Sequence, residues 1–167
     1  STGIVYGYFQ DKRDILISVL DIYIEKVFAP FFNMIDKLKE PIDFSELINN
    51  VITLAIKTHK KNAKIHEALH SLTSTDEAVK NQFIKLEDQI THNISKKLEN
   101  LNVFVENATE KIHFAMDVIQ SFAHEYVFDK HEYINYEIMT EMVKKTLTEL
   151  FKKGKKQYEF VWKPKIL

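Results

Sequence analysis

The residues His66-Glu67-Ala68-Leu69-His70 spell H-E-x-x-H. On a helix, histidines four apart share a face and can hold zinc, with the glutamate between them as general base. Such a centre needs a third ligand and a cleft. The continuation H-x-x-G-x-x-H is absent, because Ser71-Leu72-Thr73-Ser74-Thr75-Asp76 follows. Glu87 offers a carboxylate, but on a separate predicted helix. The pentapeptide is therefore expected to be the edge of an amphipathic helix. His66, His70 and Thr73 border its apolar face, where they could line a pocket or meet an incidental metal.

The other polar constellations are sparser. His113, Asp117, Gln120 and His124 form a polar stripe on one predicted helix, suited to solvent, an interface or a ligand. Glu87 and Asp88 are adjacent and point to different helix faces, so they make no catalytic pair. The sequence has no nucleophile elbow, phosphate loop or dinucleotide fingerprint. The expectation is a protein that is not an enzyme, with no catalytic residues, no cofactor and no dedicated metal site.

The elements that position these residues read as helices throughout. Three Gly and three Pro in 167 residues disfavour a turn-rich β protein. Hydrophobic content of 45%, with 28% charged residues, suits a chain that buries a sizeable core. Without cysteine there is no disulfide framework and no thiolate chemistry, which fits a reducing cytoplasm, the expected location. No apolar run approaches the roughly 18 residues of a membrane span, and no secretory signal is visible. The net charge of −1 gives no overall basic field.

Helix starts are expected where a capping residue precedes an acid by three positions: Asp11 with Asp14, Asp43 with Glu46, Ser74 with Glu77, Asn107 with Glu110, and Asp129 with Glu132. Each precedes an apolar repeat of three and four. The first stripe runs through Leu16, Leu20, Tyr23, Val27, Phe31 and Ile35, and Pro30 should kink or break that helix near Lys26. A helix carrying Ile48 and Ile52 ends in the polar run His59 to Asn62. A short helix with Leu69 follows, then a long one with Val79, Phe83, Leu86 and Ile90. The last two helices, around Ile119 and from Ile134 to Phe151, are antiparallel candidates. Gly154 is a natural stop. The segment from Lys155 to Leu167 is a basic, aromatic tail expected to pack on the bundle.

Residues 1 to 16 carry a more specific pattern. Ser1, Gly3, Tyr6, Tyr8, Phe9 and Lys12, with Val5 and Ile15 at two apolar positions, match S/T-x-G-x-L-Y-x-Y/H-F-x-x-K-x-x-L. This resembles the recognition helix and following turn of TetR-type (tetracycline-repressor-like) transcriptional regulators. The residue types suit the role: Ser1 or Thr2 can cap a helix whose N-terminus attracts phosphate, and Tyr6, Tyr8 and Lys12 can donate to phosphate oxygens. The resemblance implies that Thr2 and Gly3 face base edges. Gly7 stands where relatives often have a larger contacting residue. The two helices that precede the recognition helix in that family lie outside the sequence beginning at Ser1, and operator binding is expected to need them.

The resemblance further implies an all-α TetR-like fold. Residues 1–38 would be a partial DNA-binding unit with a connector helix, 39–154 an all-α ligand-binding and dimerisation domain, and 155–167 the tail. It implies a homodimer on a palindromic DNA operator, released by a small, largely apolar effector, with no membrane partner. Candidate pocket residues are His59, His66, His70, Phe83, Phe114 and Phe122. Candidate dimer residues, on the last two helices, are Ile119, Tyr126, Ile138, Met142 and Leu150. An all-α metal-dependent hydrolase, or a helical interaction domain without ligand, are the alternatives.

Overall fold

A computed structural model describes residues 11 to 152 of the chain. Six helices and no strand occur among them: α1 (Lys12–Asp36), α2 (Phe44–Lys61), α3 (Ala63–Thr73), α4 (Glu77–Asn100), α5 (Ala108–Phe128) and α6 (Tyr136–Phe151). The all-α reading of the sequence is thus met. Ser1, Thr2, Gly3, Tyr6, Gly7 and Tyr8 lie outside the described residues, as do Gly154 and the tail; Lys12 is the first residue of α1. No helix among the described residues is long and apolar enough to cross a membrane.

Two of the anticipated capping residues act as expected. Asp11 accepts the amide of Asp14 at 2.9 Å, and Asp43 accepts those of Ser45 and Glu46 at 2.9 and 3.1 Å. Two other starts need correction, and at a third only the capping bond is missing. Asp76, not Ser74, caps α4, accepting the amides of Ala78 and Val79. A carboxylate that takes two amides at the positive end of a helix outcompetes a hydroxyl two residues earlier. Ser74 instead closes α3, its hydroxyl donating to the Ser71 carbonyl at 2.8 Å. Asn107 precedes α5, but at φ 51 its side chain makes no capping bond; asparagine tolerates that left-handed backbone better than most residues. The last helix starts at Asn135, which accepts the amides of Glu137 and Ile138, rather than at Asp129. Ile134 therefore lies before α6.

Pro30 does not break α1, which runs without interruption from Lys12 to Asp36. A proline removes one backbone donor, here the one that would reach Lys26. The packing of α1 along α4 and α2 outweighs that single loss.

Two apolar clusters hold the helices together. Ile48 and Ile52 of α2 meet Ala115, Ile119 and Phe122 of α5, with Tyr136 and Leu147 of α6. At the other end, Leu20 of α1, Leu69 of α3 and Val79 of α4 form a second cluster, flanked by Tyr23, Leu72 and Phe83. Full burial of a side chain such as Leu147 or Ile52 contributes about 1.5–3 kcal/mol each. The connection between α5 and α6 is fixed by Tyr136, whose hydroxyl donates to Glu125 Oε1 at 2.8 Å and accepts the His131 amide at 3.0 Å.

Candidate functional site

Between the two clusters the helices do not close. A cavity of about 800 Å³ lies among them, within the range of small-molecule sites. Its walls are mostly apolar: Phe28, Phe31 and Ile35 from α1, Leu38 just beyond it, Leu47 and Leu54 from α2, and Phe83, Ile90 and Ile94 from α4. Polar groups gather on α4 and α5, where Lys80, Glu87, Asp117 and Gln120 reach the lining. Burial, then the Asp117 carboxylate, push the Glu87 carboxyl above the usual carboxylate range, partly opposed by His113.

Histidines form a second polar group in the wall. The turn at Asn62 sets the end of α2 against the start of α3, bringing the His59 and His66 rings to a centroid distance of 4.2 Å. The last turn of α5 adds His124, whose Nδ1 is 3.3 Å from His66 Nε2. One nitrogen of each of the three rings lies within 4.8 Å of the other two. His70, one turn beyond His66, stacks on His124 with centroids 5.0 Å apart. Phe128 lies parallel to the His66 ring, 5.6 Å away, and 4.9 Å from that of His124.

Hydrogen bonds fix how these rings present their nitrogens. His59 Nδ1 is 2.8 Å from the Ala55 carbonyl. A carbonyl only accepts, so Nδ1 carries the proton and Nε2 keeps its lone pair. His124 turns Nε2 toward Asp129 Oδ2 at 3.4 Å, which leaves Nδ1 for the cluster. Burial holds the His59 imidazole below its ordinary pKa; its bond to Ala55 opposes this and His124 adds to it. His66 is lowered to about 4, first by burial and then by His59, His124 and His70. Both rings are therefore neutral at pH 7, the state in which imidazole binds metals or accepts a hydrogen bond.

The residues anticipated as pocket lining divide. His59, His66, His70 and Phe83 reach the cavity. Phe114 and Phe122 do not. Phe122 is buried in the α2–α5–α6 cluster, and Phe114 is 51% exposed on another side of α5. Both follow from the helical period: the helix lines the cavity at Ile112, Ala115, Ile119 and His124 and their neighbours, with Phe114 falling between Ile112 and Ala115, and Phe122 between Ser121 and His124. Of the residues proposed for dimerisation, Ile119 is buried in the chain's own core and is not available to a partner. Tyr126 and Leu150 are half-buried against that core, while Ile138 and Met142 are exposed on α6.

The H-E-x-x-H pattern is not assembled as a catalytic unit. Glu67 is exposed and does not line the cavity, and the two nitrogens grouped with that of His66 come from His59 and His124 rather than from His70. Sequence reasoning placed His124 on a stripe with His113 and Asp117 and missed its meeting with His66. It also missed Phe128 and Asp129, which complete the surroundings. The only available signal was positional: His59, His66 and His124 each sit in the first or last turns of a helix.

No protein-family model and no curated protein matches the chain. The cavity and its histidine wall are thus the observations from which function is argued.

Proposed function

We propose that the protein is a ligand-responsive transcriptional regulator of the TetR type, with the cavity as its effector site. One observation carries the reading: α1, which continues the recognition-helix motif of residues 1 to 16, also supplies a wall of the cavity through Phe28, Phe31 and Ile35. A molecule bound there touches the element joined to the DNA-reading segment. An effector that favours one position of α1 over another shifts the spacing of the two recognition helices in a homodimer. A repressor released from a palindromic operator in the cytoplasm is the form this takes. The lining calls for a mostly apolar effector carrying polar groups for the Glu87–Gln120 side and the histidine wall. A domain that only joins other proteins has no need of such a void.

The test is selection of duplex DNA from a random library by the protein. Enrichment of a palindrome, and its loss when compounds extracted from the purified protein are added back, is the expected result. No enriched sequence, or DNA affinity indifferent to every cavity ligand, would count against this function.

A further inference from the structure

We propose that His59, His66 and His124 bind a divalent first-row transition metal ion of the zinc class in the wall of the cavity. Zinc–imidazole bonds of about 2.0–2.1 Å in a tetrahedron set neighbouring nitrogens about 3.3 Å apart. His66 Nε2 and His124 Nδ1 already stand at 3.3 Å. The third nitrogen lies within 4.8 Å of both, a gap that metal binding would have to close.

The surroundings are those of a ligand set and not of a chance cluster. Metal-binding histidines usually donate their other N–H to a carbonyl or carboxylate, which fixes the tautomer. His59 does so to Ala55, and His124 faces Asp129. The first bond leaves His59 Nε2 its lone pair, and the second leaves His124 Nδ1 facing His66. Phe128 covers His66 and His124 with an apolar ring, which limits water.

Neutral imidazoles select zinc, copper, nickel or cobalt over magnesium or calcium, which prefer oxygen. Three ligands leave one position for water or for a donor atom of whatever fills the cavity. The ion joins α2, α3 and α5, so its binding also ties the cavity's walls together. This requires only the helical domain, whatever partner the domain serves.

Chelator-stripped protein titrated calorimetrically with zinc chloride, with magnesium chloride as control, provides the test. One zinc per chain, no magnesium, and a raised unfolding temperature are expected. Asp129→Asn, an exposed change, should weaken zinc binding about 10-fold or more, and His124→Gln more severely. Nitrogen-15 spectra of the unaltered protein should show zinc moving the ring resonances of a few of the seven histidines only; this keeps the test alive should a variant misfold. No uptake at micromolar zinc, ring resonances that do not move, or binding unchanged in the doubly substituted His66→Gln, His124→Gln chain would overturn the site. A zinc failure leaves the DNA selection result untouched, so the two proposals fail separately.

Discussion

His66 Nε2 lies 3.3 Å from His124 Nδ1, although 58 residues separate them in the chain. The pair sits among His59 and His70 and under Phe128, with Asp129 as the facing carboxylate. A protonated imidazole is disfavoured at His66, and that has a consequence for stability. His66 has a pKa of about 4 in the fold, below its ordinary 6.5. Between those values the unfolded chain takes up a proton that the folded chain resists, so stability falls as pH falls through that window and the effect levels off below about 4.

In metal-free protein, urea unfolding at pH 7.5 and 4.5 should show this loss in addition to the general effect of carboxylate protonation. His66 is only half-buried and water screens it, so its share is on the order of 1 kcal/mol. The His66→Gln chain should lack that share. Equal pH dependence of the two proteins would show that His66 is not resisting protonation.

How much of this was legible in the sequence differs by level. Helix type and order were readable because Val79, Phe83, Leu86 and Ile90 repeat at a period that only a helix satisfies. Caps were readable where one acid had no competitor, as at Asp43, and misread where two candidates stood close, as at Ser74 and Asp76. The histidine wall was half legible. His66 and His70 share a face by local geometry, but the meeting of His66 with His124 depends on how α3 packs beside α5, which local periodicity does not encode. The same limit applies to Phe114 and Phe122. Both are aromatic and close to the stripe, yet a rotation of α5 by part of a turn decides between cavity, core and solvent.

Tyr136 holds the α5–α6 connection through Glu125 and the His131 amide. Tyr136→Phe keeps the ring, including its edge contact with Tyr126, and removes both bonds. Glu125 loses a donor and the amide loses its acceptor. The unfolding midpoint should drop by about 3–6 °C with helicity unchanged. A midpoint equal to that of the unaltered protein would mean that water satisfies the same groups.

Thr91 buries a hydroxyl that has no hydrogen-bond partner. Such a group costs desolvation and returns nothing. Thr91→Val keeps the shape and removes the cost, so stability should rise by about 1 kcal/mol in denaturant unfolding. A loss instead would indicate that the hydroxyl finds a partner in solution.

The cavity can be filled from its wall. Leu54 lines it from α2 and is half-buried. Leu54→Trp places an indole in space that is otherwise open, where overpacking a filled core would cost about 1–3 kcal/mol. The expected result is stability within about 1 kcal/mol of the original and at least a tenfold weaker affinity for an apolar fluorescent probe. A destabilisation at the upper end of the overpacking range would mean that the void closes in solution.

Ile138 and Met142 stand one turn apart on α6, 60% and 63% exposed. Two large apolar side chains on one helix face, with Leu147 and Met139 turned inward on the other, suit contact with a second copy through a two-fold axis. Ile119, also proposed for that contact, cannot join it from the core. Replacing both Ile138 and Met142 by Glu puts charge on the face without touching the buried cluster, so the monomer's stability should change by no more than about 0.5 kcal/mol. Sedimentation of the unaltered chain should give a dimer, and of the double variant a monomer with the same helicity. A dimer in both would move the interface off this face of α6, and a monomer in both would remove the symmetric operator contact from the regulator proposed above.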